Sequence, residues 1–121
     1  MSVQATIVHG WTDAAAALAA VPPGSRAVLM SAPDAGSYAG AGWFAALAVR
    51  ARAEFPAVDQ SWILDCGDAP GHVLAALRAG VAAIVFTGAP ALRARLEEIA
   101  AAHGATILAQ APGPAAKAHP R

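Results

Sequence analysis

The sequence is poor in charged residues, in lysine and in cysteine. Only 13% of its 121 residues are charged, and eight basic residues balance eight acidic ones. Nucleic-acid-binding proteins need a basic surface that displaces counterions, so this balance argues against that class and against an acidic, disordered chain. The single cysteine, Cys66, excludes an internal disulfide and a zinc site made of cysteines alone. Because the single lysine, Lys117, lies in a Pro-rich segment, we do not expect Schiff-base chemistry or pyridoxal phosphate attachment.

Long apolar runs are also missing. No run approaches the roughly 18 residues that a membrane-spanning helix needs, and the first residues lack the basic start and apolar stretch of a signal peptide. We therefore expect no membrane association and a cytoplasmic location. The hydrophobic fraction is 57%, but 36 of these residues are alanine, so the core is made of small, closely packed side chains. A chain of this length forms one domain.

Apolar runs alternate with helical patterns along most of the chain. The predicted strands cover residues 2–8, 26–32, 61–65, 81–86 and 105–109, and the predicted helices cover about 12–20, 39–55, 69–79 and 90–103. This alternation predicts an α/β fold, a three-layer sandwich with helices on both faces of a mainly parallel, five-stranded sheet. Residues 1–110 form the single predicted domain, and residues 111–121 form a Pro-rich C-terminal tail.

Two strand orders fit this pattern. We prefer the flavodoxin-like or Rossmann-like order 2-1-3-4-5, in which strands 1 and 3 are neighbours at a topological switch point. The alternative is a half-barrel order, 1-2-3-4-5. Both orders use right-handed crossovers.

Polar residues follow the predicted strands more often than they precede them. Ligands of parallel α/β sheets bind outside the carboxyl ends of the strands, so we expect a site for a small polar or anionic metabolite at this edge. No motif identifies a cofactor. The alternative is that these residues serve only as helix caps and turns. The candidate ligand-binding residues are Ser31, Asp34, Gly36, Ser37, Tyr38, Gly40, Asp68 and Thr87.

His9 and Asp65 are the candidate catalytic residues. If strands 1 and 3 are neighbours, their side chains lie within about 8 Å, and the carboxylate orients the imidazole as a general base. Asp34, Asp65 and Asp68 also offer oxygen ligands for Mg²⁺, but their spacing alone does not predict a metal site. Asp68 is expected to be the N-cap of the third helix. Cys66 precedes that helix, and a small packing residue is the default interpretation.

Two short segments resemble known families. The strand that ends at Asp65 and the strand that ends at Thr87 resemble the phosphoacceptor half of a response-regulator receiver domain. Receivers carry an acidic pair where this chain has His9 and Gly10, and a lysine where it has Gln110. The resemblance therefore implies a degenerate receiver-like domain without phosphoryl transfer. Residues 71–88 resemble a βα unit of a TIM-barrel aldolase that lacks the catalytic lysine.

The high apolar fraction and low charge also predict self-association. We expect a homo-oligomer, most simply a two-fold dimer, with Trp11, Trp43 or Trp62 as anchors. The functional alternatives are therefore a small-molecule site, with or without acid–base catalysis, and a non-catalytic interaction domain. The sequence does not decide whether the protein is an enzyme.

Overall fold

Strands and helices alternate through residues 4–114, the part of the chain that the structure, a computed structural model, describes. The side chains of Gln4, Ser37, Tyr38 and Pro114 lie outside that description. The elements are β1 (Gln4–Val8), α1 (Trp11–Ala19), β2 (Arg26–Ser31), α2 (Ala35–Tyr38), α3 (Ala41–Glu54), β3 (Asp59–Asp65), α4 (Pro70–Arg78), β4 (Ala83–Val85), α5 (Pro90–Ala102), β5 (Thr106–Leu108) and β6 (Gly113–Pro114). No helix among these residues is long and apolar enough to cross a membrane.

The strands form one parallel sheet in the order β5-β4-β3-β2-β1-β6. The predicted α/β class and the five parallel strands are confirmed. The preferred order 2-1-3-4-5 is wrong, and with it the flavodoxin-like and Rossmann-like description, because β2 pairs with both β1 and β3. The alternative half-barrel order, 1-2-3-4-5, is the one observed. The apolar pattern identifies strands but carries no information about which strand lies beside which.

The strand order determines where the helices lie. Each right-handed crossover moves one strand further in the same direction, so every helix falls on the same face of the sheet. The buried residues of α1, α3, α4 and α5 accordingly belong to one core cluster. They share it with Leu29, Trp62 and Leu64 of the strands and with Phe86, which follows β4. Within residues 4–114 the sandwich has two layers, whereas helices on both faces were expected.

The opposite face of the sheet carries a second, smaller cluster. Its buried members, Ala5, Met30, Ile63 and Val85, all come from strands, and each is at most 5% exposed. The short link between β5 and β6 explains this burial. It advances only five residues, from 108 to 113, and so spans at most about 18 Å, whereas five spacings between flat neighbouring strands sum to about 24 Å. The sheet must therefore curl, and the second cluster faces the inside of the curl.

The predicted helix over 39–55 is interrupted at its start. Gly40 has a φ of 90° and separates the single turn of α2 from α3. This left-handed conformation favours glycine. The break lets α2 lie against the end of β3, where it contributes to the site described below. The predicted N-cap of α4 is also wrong, since Ala69 occupies that position and Asp68 precedes it, exposed.

Gln60 fixes the end of α3 on the sheet. Its side-chain Nε2 donates to the carbonyls of Ala51 and Phe55, each at 3.1 Å, in the last turn of the helix. Its Oε1 accepts a hydrogen bond from Nε1 of Trp62 at 3.0 Å. Both carbonyls also accept a backbone N–H, Ala51 from Phe55 at 2.9 Å and Phe55 from Val58 at 3.2 Å, so the Gln60 amide is a second donor that ties the end of the helix to β3.

The segment after β5 is more ordered than a tail. Gly113 and Pro114 pair in parallel with Gln4 and Ala5 and add a sixth strand beside β1. The remainder of the predicted tail, residues 115–121, lies outside the described residues.

Candidate functional site

The candidate residues lie at one edge of the sheet because all the strands are parallel. Ser31 and Asp65 are the last residues of β2 and β3, and His9 follows β1 directly. Thr87 follows β4 by two residues and is exposed. The carboxyl edge is therefore where the sequence analysis expected it, but the neighbours along that edge are different.

A buried hydrogen-bond chain ties the ends of β2 and β3 together. The Ser31 hydroxyl, 1% exposed, donates to the carbonyl of Ala32 at 3.0 Å and accepts the backbone N–H of Asp65 at 2.9 Å. The Asp65 side chain accepts the backbone N–H of Gly67 at 2.8 Å, and the carbonyl of Gly67 accepts the N–H of Thr87 at 2.8 Å. These contacts give Ser31 and Asp65 structural roles in holding the loops.

Two glycines allow α2 to approach the turn between β3 and α4. A Cβ added to Gly36 would lie 2.7 Å from Sγ of Cys66, and a Cβ added to Gly67 would overlap the carboxylate of Asp34. Gly67 and Asp34 both have positive φ, at 57° and 62°. Gly36 and Asp34, both predicted to bind a ligand, thus lie in a close packing contact within the protein.

Cys66 is an inert thiol in this contact. Its side chain is fully buried. Burial raises the pKa of the Cys66 thiol to about 12, and the nearby carboxylates of Asp65 and Asp34 add to the effect. A neutral, inaccessible thiol is a poor nucleophile, so Cys66 is a packing residue, as expected by default.

His9 and Asp65 do not face each other across neighbouring strands. β2 lies between the strands that precede them, which places those strands about 10 Å apart. The partner of His9 is Asp13, in the first turn of α1. Oδ2 of Asp13 accepts the backbone N–H of His9 at 2.8 Å and lies 3.0 Å from its Nδ1. His9 therefore pairs with a carboxylate of its own βα unit, and not with the Asp65 carboxylate that the sequence analysis proposed.

The charge on Asp13 fixes the hydrogen-bonding role of the ring. The backbone N–H of His9, and then its side chain, lower the pKa of Asp13. An ionised carboxylate only accepts hydrogen bonds, so Nδ1 of His9 carries the hydrogen. Asp13 was not among the candidate residues of the sequence analysis. The signal was the spacing of four residues from His9 across a helix start.

A cavity of about 270 Å³ opens at this edge, beside the ends of β1 and β2. It lies between these strand ends and the segment that joins α2 to α3. Its walls are apolar except for one imidazole and one indole. The lining residues are Val8, His9, Ala32, Ala35, Ala39 and Trp43.

His9 is the predicted site residue that lines this cavity. Ser37 and Tyr38 belong to α2, but nothing is described of their side chains. The other predicted residues lie elsewhere on the carboxyl edge or in the loops. Among residues 4–114, no three histidine, cysteine or acidic side chains are grouped so that they could hold a metal ion. The cavity lies at the edge where the sequence analysis expected a site, and half of its lining residues are alanines, which carry no motif.

A larger cavity, of about 500 Å³, lies at the opposite edge of the sheet. Its lining includes Arg52, Asp59 and Gln60, and it follows the loops at the amino ends of the strands. The side-chain amide of Gln60 already donates hydrogen bonds to two carbonyls at the end of α3. Since ligands of parallel sheets bind at the carboxyl ends, the smaller cavity beside His9 is the better candidate site.

Comparison with known proteins adds no assignment: no protein-family model matches the chain, and no curated protein or solved structure matches it significantly. Receiver domains have the 2-1-3-4-5 strand order, which this sheet does not share. The geometry of the site therefore carries the functional argument.

Proposed function

We propose that the protein binds a small organic molecule in the cavity beside His9. The observation that carries this proposal is the cavity itself, about 270 Å³ at the carboxyl ends of two parallel strands, where ligands of this architecture bind. The volume is slightly below the roughly 300–1,000 Å³ of pockets for drug-sized ligands. A molecule of one or two rings fits it.

The lining defines the chemistry of that molecule. Ala32, Ala35 and Ala39 offer short apolar walls, and the indole of Trp43, 36% exposed, offers a flat surface for stacking. His9 supplies a polar anchor. We infer a flat ligand with an apolar body and one polar or anionic group. Should the site be catalytic, the acid–base residue is His9 with Asp13 as the carboxylate that orients it.

The test is a thermal-shift screen with a panel of one-ring and two-ring metabolites, since a ligand that binds only the folded protein raises its Tm. The variant Trp43→Ala removes one wall, and Val49→Ala, 67% exposed on the same helix, is the matched control. We expect a Tm shift that Trp43→Ala abolishes and Val49→Ala preserves. A panel without any shift, or a shift that survives Trp43→Ala, would refute the site.

A second candidate function is self-association through α5. Leu92 and Ile99 are 36% and 41% exposed, and their spacing of seven places them on one face of the helix. Trp62, one of the expected anchors, is only 4% exposed and belongs to the core. Trp11 is half-buried, with the Arg50 guanidinium 3.8 Å above its ring.

Light scattering over a tenfold dilution at micromolar concentration tests this candidate. A dimer that the double variant Leu92→Ser, Ile99→Ser dissociates would support it. A mass near 12 kDa at every dilution would show that the apolar surplus of the sequence is only alanine.

A further inference from the structure

We infer that Asp13 holds His9 in the tautomer whose free nitrogen, Nε2, accepts a hydrogen bond, so that the cavity selects ligands carrying an N–H or O–H donor. This inference rests on the proposed binding site and names the class of ligand that the site takes. It assigns to Asp13 a positioning role, since Asp13 acts through His9 and is not among the residues that line the cavity.

The geometry around Asp13 supports the first half of the inference. One carboxylate oxygen accepts from two donors of the same residue, the backbone N–H at 2.8 Å and the ring Nδ1 at 3.0 Å. The backbone bond fixes Oδ2 relative to the start of α1, within hydrogen-bond distance of Nδ1. A histidine tautomer is set by the hydrogen bond of the other nitrogen. In the neutral ring, Nε2 is therefore left with a lone pair and no hydrogen.

The cavity lining supports the second half. Four of the lining side chains, those of Val8, Ala32, Ala35 and Ala39, carry no polar atom. The indole N–H of Trp43 only donates. Nε2 of His9 is consequently the one strong side-chain acceptor among the described lining residues, and the donor group of a ligand pairs with it. A ligand of equal shape without a donor forgoes this hydrogen bond, which weakens its binding.

The tautomer is measured first, without any ligand. Nitrogen-15 shifts of the histidine rings distinguish the two neutral tautomers from each other and from the protonated ring. At a pH where these shifts report a neutral ring, we expect the Nδ1–H form for His9. Asp13→Ala, and Asp13→Ser as a variant that keeps a short polar side chain in the first turn of α1, should convert it to a mixture of both forms. Asp68→Ala, an exposed aspartate before α4, is the matched control and should leave the spectrum of His9 unchanged.

Ligand selection is measured next, by titration with indole, with 1-methylindole and with benzoate. Indole and 1-methylindole share a ring system, but only indole has a donor. We expect indole to bind about fivefold more tightly than 1-methylindole, and we expect Asp13→Ala and Asp13→Ser to bring the two affinities together. Benzoate, which has no donor, should bind no better than 1-methylindole.

The outcomes separate this inference from the proposed function. The Nε2–H tautomer in the unaltered protein, or tighter binding of benzoate than of indole, would overturn the inference even if the cavity binds ligands. Equal affinities for indole and 1-methylindole in the unaltered protein would also overturn it. Failure of all three probes to bind, with the Nδ1–H tautomer present and lost in Asp13→Ala, would overturn the binding site and leave the control of the ring by Asp13 standing.

Discussion

Replacing Gly36 by alanine sets two opposing effects against each other at the contact between α2 and the end of β3. The added Cβ would lie 2.7 Å from Sγ of Cys66 and 3.3 Å from the carbonyl oxygen of Asp65. These atoms are buried and cannot move into solvent. Overpacking of this kind costs about 1–3 kcal/mol of folding free energy. Against it stands the lower chain entropy of alanine in the unfolded state, which favours folding by about 0.4–1 kcal/mol.

The steric effect is the larger of the two, so we expect Gly36→Ala to destabilise the protein by about 1–2 kcal/mol. The matched control is Gly42→Ala, in the first turn of α3. Gly42 is exposed, and a Cβ there meets nothing within 4 Å. This variant should therefore stabilise the protein by up to about 1 kcal/mol.

Urea denaturation measures both variants, and a double-mutant cycle identifies the cause. Cys66→Ala removes the Sγ atom that the new methyl group meets. In the double variant, the loss should be smaller than the sum of the two single losses by at least about 1 kcal/mol. Additive losses, or a stabilised Gly36→Ala protein, would show that α2 does not press on Cys66 as described.

Two further predictions concern the core and its edges. Burial raises the pKa of Cys66 from its ordinary value of 9.0 to about 12, so above pH 9 the folded protein keeps a proton that the unfolded chain loses. The free energy of unfolding should therefore fall as the pH rises above 9, by up to about 1.4 kcal/mol per pH unit. Cys66→Ala should flatten this dependence in denaturation experiments, and alkylation of the folded protein at pH 8 should be slow; rapid alkylation would contradict the burial. Gln60→Ala should lower stability by about 1–3 kcal/mol, since it leaves the indole N–H of the buried Trp62 without its acceptor, while the carbonyls of Ala51 and Phe55 keep their backbone donors. Gln110→Ala, at an exposed position, should change stability by less than about 0.5 kcal/mol; equal effects of the two variants would argue against this role of Gln60.

The strands and helices of this fold can be predicted from the sequence, whereas the order of the strands in the sheet cannot. The β-branched and apolar runs that became β2 and β3 are recognisable locally, because strand propensity and burial act on neighbouring residues. Strand order depends on contacts between residues far apart in the chain, and both candidate orders satisfy the same local pattern. The break at Gly40 was missed because a positive φ is invisible to helical periodicity.

The same distinction explains the site. His9 was found because it directly follows a strand, and its expected partner, Asp65, was chosen from the strand order and failed with it. Asp13 is only four residues from His9 in the sequence, but its contact with His9 depends on where α1 begins. The alanines of the cavity wall carry no chemical signal, since a small side chain in a cavity and one in a tight core look alike in a sequence.

The half-barrel strand order also bears on the route by which the chain folds. Each strand from β2 to β5 pairs with the strand that precedes it in the sequence, so each βα unit adds to an edge that the earlier units have made. Contacts between segments close in sequence form quickly, because the loops they close are short. The pairing of β6 with β1 is the exception, since it joins residues 4–5 to residues 113–114. We expect the pairing of β6 with β1 to form last, after the sheet from β1 to β5 has assembled.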